Sequence, residues 1–327
     1  MNNLKSKRIL ITGGAGFIPS HLTRRLVQSG AEVSIVTRYN SVIDNIRISD
    51  IWRKLHVIEA DIRDIDSLKA INDFKPHIIF HCAAYNHVGG SFTHVSESFD
   101  VNAKGTSNVL DAYDGYERFI YFSTSEVYGL QDHVPFSEEM SPQPISPYAI
   151  GKYGGELYCR MKMDVQKLPI TVVRPFNAFG PYQTLRAIIP EMIDTCLMGE
   201  TVRSTSGKQT REFNFVENLV DGFLLAATKE EAIGQIINLG SGEEIAIKDL
   251  IGKIHAMTDS QSTVEIGALP HRPTEIWRMC AANQTAQEIL GWTPKVSFDE
   301  GLKKTIDWFR QYKEVFEQSS SLRKLSQ

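Results

Sequence analysis

A short apolar run, Ile9-Leu10-Ile11, is cut off by Thr12-Gly13-Gly14-Ala15-Gly16, and apolar residues at helical spacing follow from His21 to Ser29. An aliphatic run without polar alternation describes a strand buried on both faces, as strands are inside a parallel sheet. Glycines between such a strand and an amphipathic helix let the backbone turn tightly and approach a ligand. The helix N-terminus is then free to face an anion. Gly30 closes the helix as a C-cap.

The alternation continues along the chain. Strands are predicted at Glu32–Thr37, Leu55–Glu59, His77–His81, Arg118–Ser123 and Ile170–Arg174, with helices at Asp66–Phe74, Val101–Tyr113 and Tyr148–Met163. This order predicts an α/β fold, a doubly wound parallel sheet with right-handed crossovers. After Pro175 turn signals dominate, with helical patterns at Ile188–Met198, Val216–Thr228, Ile247–Met257 and Phe298–Tyr312, and a late strand at Ile236–Leu239. The expected division is a dinucleotide-binding Rossmann domain over 1–175, to which segments near 214–240 return, and a smaller mixed substrate-binding lobe over 176–327.

Composition narrows the class of partner. A net charge of −4 over 327 residues gives no reason to propose nucleic acid or an anionic membrane. No apolar run reaches the roughly 18 residues that a membrane span requires. The N-terminus is polar and carries no signal-peptide pattern, and Cys82, Cys159, Cys196 and Cys280 lie far apart, as free thiols in a reducing compartment would. A cytoplasmic location is the expectation.

The glycine-rich turn is placed to cradle the pyrophosphate of a dinucleotide, with Gly13, Gly16, Phe17 and Ile18 closest to it. Pro19 stands where the third glycine of such turns usually lies, in a first helical turn that tolerates proline. At the end of the second strand, where an acidic residue usually meets the ribose hydroxyls, the chain has Arg38. A guanidinium there suits a 2′-phosphate, so NADP is favoured over NAD. Asp61, after the third strand, is placed to accept a hydrogen bond from the adenine amino group or to cap a turn.

Tyr148 and Lys152 are four residues apart and share one face of a helix. A nearby ammonium favours the phenolate, the form that removes a proton from an alcohol. Ser123-Thr124-Ser125-Glu126 adds a carboxylate that a simple alcohol dehydrogenase does not need. His81, His87 and His94 lack metal-ligand spacing and read as loop or packing residues, so no metal is expected.

Taken in order, Thr12-Gly13-Gly14-Ala15-Gly16, Asp61-Ile62, His81-Cys82-Ala83-Ala84, Asn102, Ser123-Thr124-Ser125-Glu126, Tyr148 with Lys152, Arg174-Pro175-Phe176-Asn177, Gly180-Pro181, Arg211-Glu212-Phe213 and Arg272-Pro273 resemble the extended short-chain dehydrogenase/reductase family, in its nucleotide-sugar epimerase/dehydratase branch. Thr124-Ser125-Glu126 is similar to the pattern of GDP-mannose 4,6-dehydratases and legionaminic-pathway dehydratases, and UDP-glucuronate decarboxylases carry it too. The resemblance implies that Ile62, Ala83, Ala84, Asn102, Ser123, Tyr148, Lys152 and Pro175 join the cofactor site. It also implies that Thr124, Asn177, Arg186, Arg211 and Arg272 meet the nucleotide sugar, and that the protein is a homodimer paired through the helix carrying Tyr148 and the Val101–Tyr113 segment.

The reaction expected from these groups is a 4,6-dehydration. Tyr148 takes the C4 hydroxyl proton with Thr124 orienting the hydroxyl. Glu126 takes the C5 proton, and Glu126 or a water on Ser125 protonates the departing C6 hydroxyl. The alternatives are a 4-epimerase, a UDP-glucuronate decarboxylase, a net C4 dehydrogenase and, outside the enzymes, a dinucleotide sensor.

Overall fold

The first apolar run does form a buried strand in the computed structural model, which describes residues 4–38, 46–271 and 275–312. In chain order the early elements are β1 (Arg8–Thr12), α1 (Phe17–Gln28), β2 (Glu32–Thr37), β3 (His56–Glu59), α2 (Ala70–Phe74), β4 (Ile78–His81), α3 (Val88–Ser91), α4 (Val95–Phe99), α5 (Gly105–Ala112), β5 (Arg118–Phe122), α6 (Pro147–Gln166) and β6 (Ile170–Pro175). Later come β7 (Ala178–Phe179), α7 (Ile188–Met198), β8 (Val202–Ser204), β9 (Thr210–Glu212), β10 (Asn214–Phe215), α8 (Val216–Thr228), β11 (Ile236–Leu239), β12 (Glu244–Ala246), α9 (Ile247–Met257), β13 (Val264–Ile266) and α10 (Phe298–Gln311).

Seven strands form one parallel sheet in the order β11-β6-β5-β4-β1-β2-β3. The direction of winding reverses between β1 and β4, and a doubly wound sheet opens a crevice at the carboxyl ends of those two strands. Period-two alternation sorts the strand residues into two layers. Ile9, Ile11, Val33, Ile35, Phe80 and Val173 pack under α1 and α8, whereas Leu10, Val36, Ile79, Tyr121 and Val172 pack under α2, α5 and α6. Each fully buried aliphatic or aromatic side chain in these layers contributes roughly 1.5–3 kcal/mol of transfer free energy.

A third cluster, built from Phe179, Ile193, Phe215, Leu250, Ile254, Leu302 and Ile306, joins α7, α9 and α10. Strands there are short: β12 pairs with β9, β13 with β8 and β10 with β7. These short pairs escaped the sequence reading because two or three residues carry no measurable alternation.

Helix boundaries differ from expectation in three places. α1 begins at Phe17 rather than His21, because Pro19 falls in the first turn, where a missing N–H costs no intrahelical bond. The predicted helix over 66–74 splits into a tight 3₁₀ turn at Ile65–Lys69 and α2, and the one over 101–113 opens with a π turn at Asp100–Lys104. All four cysteines are free, with Cys159, Cys196 and Cys280 buried. Among the described residues no helix is long and apolar enough to cross a membrane.

Candidate active site

The glycine-rich turn runs from β1 straight into α1 and closes over the end of β4. Gly13 has φ +67°, and a Cβ there would lie 2.9 Å from Ala83 Cα, so glycine is required by both conformation and space. A Cβ on Gly14 would meet Ile35 Cγ2 at 2.3 Å. Gly16 caps α1 in an extended conformation without a side-chain hydrogen bond. The N–H groups of Phe17 and Ile18 therefore belong to a helix first turn with no intrahelical partner, and Pro19 contributes none. This cradle fits a pyrophosphate.

Behind it a buried hydrogen-bond chain ties the turn to β4. Ala83 N donates to Thr12 Oγ1 at 3.0 Å, Thr12 Oγ1 lies 2.7 Å from His81 Nδ1, and His81 Nε2 lies 3.0 Å from Thr106 Oγ1. Thr106 donates in turn to Asn102 O at 2.6 Å, which puts the imidazole proton on Nε2 and leaves Nδ1 to accept from Thr12. Burial first, and then the Lys152 charge, pushes His81 down to about 3, so it stays neutral. Asn102 was expected in the cofactor site; the structure buries it, with its amide exchanging two hydrogen bonds with the Tyr85 backbone (2.8 and 3.0 Å). It holds the loop after β4 and does not line the cleft.

A cleft of about 720 Å³ runs from this turn to α6. Its wall brings together Gly13, Gly16, Phe17, Ile18, Arg38, Asp61, Ile62, Ala83 and Ala84 around the glycine turn with Ser123, Thr124, Ser125, Glu126, Tyr148, Lys152, Pro175, Asn177 and Arg186. Arg47 and Arg63 line it as well, and sequence reasoning passed over both. Arg63 directly follows Asp61-Ile62, a proximity that could have flagged it; nothing in the sequence brings Arg47 there. Asp61 accepts from the Arg63 backbone at 3.0 Å and from its guanidinium at 2.5–3.0 Å. The Arg63 hydrogen bond is the main reason the Asp61 carboxyl is held below its usual range.

Ser146 caps α6 by accepting from Ala149 N at 3.1 Å, and Pro147 occupies the first helical turn, which sets Tyr148 at the mouth of the helix. The expected lowering of the phenol by Lys152 does not occur. Burial pushes Tyr148 up to about 12; a hydrogen bond with Thr124 pulls it down and the Glu126 charge pushes it further up. The ammonium goes elsewhere: Lys152 Nζ lies 4.5 Å over the Tyr121 ring, and burial pulls it down to about 8.

Thr124 caps the 3₁₀ turn Ser125–Tyr128, its Oγ1 accepting from Glu126 N at 3.2 Å, which places the half-buried Glu126 within electrostatic reach of Tyr148. Ser125, expected to hold a water, donates instead to Met279 Sδ at 3.4 Å. Asn177 donates to Glu212 O at 3.1 Å.

Arg211 does not line the cleft. Its Nη2 donates to Glu275 Oε1 at 2.6 Å in a largely buried pair, so the guanidinium expected to take phosphate has a carboxylate partner. Arg272 lies outside the described residues. His87 caps α3 by accepting from Gly90 N at 3.0 Å, and His94 Nδ1 lies 3.1 Å from the Tyr85 hydroxyl.

A family model described as GDP-mannose 4,6 dehydratase matches residues 10–305. The chain belongs to this family, within the nucleotide-sugar branch of the extended short-chain dehydrogenases/reductases. It is 34% identical to a dTDP-D-glucose 4,6-dehydratase of Mus musculus, covering 94% of this chain and 89% of that one. It is also 34% identical to a UDP-N-acetyl-alpha-D-glucosaminuronate decarboxylase of Bacillus cytotoxicus, covering 93% and 98%. Among solved structures, Epimerase Mth375 of Methanothermobacter thermautotrophicus superposes with a TM-score of 0.90 at 32% identity, covering 97% of this chain and 96% of that one. DesIV, a dTDP-glucose 4,6-dehydratase of Streptomyces venezuelae solved with NAD, gives 0.86 at 29%, covering 93% and 97%. Family members thus include dehydratases, epimerases and decarboxylases working with a nicotinamide dinucleotide on nucleotide sugars.

Proposed function

We propose that this protein is an NAD(P)-dependent nucleotide-sugar 4,6-dehydratase, a lyase that converts a nucleoside-diphosphate sugar to its 4-keto-6-deoxy form. The observation that carries this reading is a carboxylate, Glu126, acting electrostatically on the Tyr148 phenol in the same cleft as the dinucleotide turn. When bound, the nicotinamide supplies a hydride acceptor for C4 and a hydride donor for C6. Thr124 orients the C4 hydroxyl, and Tyr148, as phenolate, receives its proton; the positive charge of a bound oxidised nicotinamide would favour that form against burial. Glu126 then removes the C5 proton, made acidic by the C4 ketone. With Ser125 turned to Met279, protonated Glu126 is also the group that hands a proton to the departing C6 hydroxyl.

The same turn of Ser125 favours a second reading, an NDP-sugar 4-epimerase, which needs no acid at C6. A panel of UDP-glucose, dTDP-glucose, GDP-mannose and UDP-glucuronate, read by product mass, decides between them. Loss of water supports the dehydratase; unchanged mass or loss of carbon dioxide overturns it in favour of the epimerase or a decarboxylase.

Four further assignments belong to this reading. Residues 1–175, with β11 returning beside β6, form the dinucleotide-binding unit, and residues from 176 onward form most of the substrate lobe. The cofactor is NADP in preference to NAD, since Arg38 lines the cleft. Arg38→Asp should shift the NADP/NAD affinity ratio toward NAD by about tenfold, one charge-assisted contact; an unchanged ratio would leave Arg38 facing solvent.

A homodimer is proposed through α6, whose outer face exposes Ile150, Leu157, Met161 and Val165 at helical spacing. Sedimentation at a monomer mass independent of concentration would contradict it. The protein is assigned to the cytoplasm.

A further inference from the structure

We propose that the buried pair Glu156–Arg174 is the positioning element of this site, the group that sets the Tyr148–Lys152 helix face against the strip carrying Thr124 and Glu126. The proposal rests on the reading that Tyr148 takes the C4 proton, and adds Lys152, which lines the same cleft. Glu156 is 0% exposed and Arg174 1%. Tyr148, Lys152 and Glu156 follow one another at four-residue steps along α6 and so share a face.

Arg174 Nε donates to Glu156 Oε2 at 3.1 Å while its Nη2 donates to Oε1, a two-point fork. Ser123 Oγ donates to the same Oε2 at 2.8 Å. Arg174 Nη1 donates to Tyr128 Oη at 2.9 Å, and Tyr128 donates to Asn238 Oδ1 at 2.8 Å. One ion pair therefore touches α6, the end of β5, β6, the 3₁₀ turn holding Glu126, and β11. Well-packed apolar side chains of similar volume often stabilise a fold as well as a buried ion pair does, so holding the sheet closed does not explain these charges. What they add is directional contact to every piece that carries a reacting group. α6 is seated closely enough for this, since a Cβ on Gly155 would lie 2.5 Å from Tyr121 Oη and 2.7 Å from Asn102 O.

Glu156 also acts on Lys152, after burial and the two nearby thiols. The titratable groups facing its ammonium are Cys82 after β4, His81 on β4, Tyr121 on β5, and Glu156 and Cys159 on α6. Burial raises both thiols and the Tyr121 phenol and lowers His81, which keeps all four neutral near pH 7. Glu156 is the one carboxylate in the group, and it favours the charged amine against the burial that disfavours it.

The test uses the full chain loaded with its nicotinamide dinucleotide. Glu156→Gln keeps the shape but strands Arg174; Glu156→Gln/Arg174→Met removes both charges and guards against loss of the folded protein. Lysine-selective carbon-13 NMR, with Lys152→Met marking the resonance, reads the Lys152 titration without any turnover. Its midpoint should fall in Glu156→Gln, where the carboxylate is lost and the Arg174 cation stays, and by less in the double variant, which loses both charges; an unmoved midpoint in Glu156→Gln overturns the proposal.

With whichever sugar of the panel the wild type converts, kcat should fall on the order of 10²-fold with KM within about threefold, as misplacement of reacting groups does. The alkaline limb of the pH profile should move down with the NMR midpoint. A fall in kcat with that limb in place would mean a purely structural role and overturns the proposal too. If the wild type converts no sugar in the panel, it is the proposed function that fails, and the NMR titration still decides this one.

Discussion

At the nucleotide end of the cleft one continuous stretch, β1 through α1, supplies the turn, the glycines and the helix N-terminus. At the other end Thr124, Glu126, Tyr148 and Asn177 arrive on the end of β5, a 3₁₀ turn, the start of α6 and the loop after β6. The first end is a backbone device whose geometry is local. The second is an agreement among side chains from distant segments, and it exists only when the sheet has closed. A local device tolerates change in its surroundings and fails when its own backbone is disturbed. An assembled one is exposed to any shift in the elements that carry it.

The largest effect should come from the assembled end. Tyr148→Phe removes the proton acceptor at C4, and turnover should drop on the order of 10⁴-fold, with no reduced cofactor appearing at 340 nm while the nucleotide sugar still binds. Reduced cofactor forming at the wild-type rate would break the assignment of Tyr148. Next is Glu126→Gln, which keeps the shape and removes the basicity. The elimination should slow by roughly 10²–10³-fold, while stopped-flow absorbance shows the cofactor reduced at a near-normal rate. Full turnover in this variant would sink the dehydratase reading and bring the epimerase forward.

The local end should answer differently. Gly13→Ala puts a methyl into a left-handed backbone position and against Ala83. Dinucleotide affinity should weaken by about tenfold at a stability cost of roughly 1–3 kcal/mol, with the catalytic residues undisturbed. Calorimetric titration of NAD or NADP checks this, and unchanged affinity would show that the turn has slack.

The smallest effect concerns the buried hydrogen-bond chain behind the glycine turn. His81 has a folded-state pKa of about 3 against an ordinary value of 6.5, so the unfolded chain takes up the proton first as pH falls. Its contribution is whole above pH 6.5 and is lost as pH drops toward 3, by about 2 kcal/mol between pH 7 and pH 5. Urea denaturation at the two pH values should show this loss in the wild type and a smaller one in His81→Gln; equal losses would remove His81 as the cause.

Much of the fold was legible because its signals are periodic and local. The run Ile9–Ile11 is apolar throughout and Ile236–Leu239 is apolar but for Asn238, and both became strands of the parallel sheet. The cradle was legible for the same reason, since its glycines sit together in the sequence. Pairings between distant residues were not. Arg211 looked available until Glu275 was found beside it, 64 residues on, and Ser125 until Met279 was found 154 residues on. Asn102 looked like a ligand contact because position in a motif does not say whether an amide faces the cleft or the loop behind it.

By itself the sequence determined the winding of the sheet, the glycine turn at its switch point and the identity of the groups able to move protons, because hydrophobic period, turn chemistry and side-chain type are properties of adjacent residues. Tertiary structure alone decided what those groups face. It set Lys152 over the Tyr121 ring, paired Glu156 with Arg174, and brought Arg38, Arg47 and Arg63 to one cleft. The electrostatics of a side chain depend on what burial removes from around it and which charges the fold brings near, and neither is a property of neighbours along the chain.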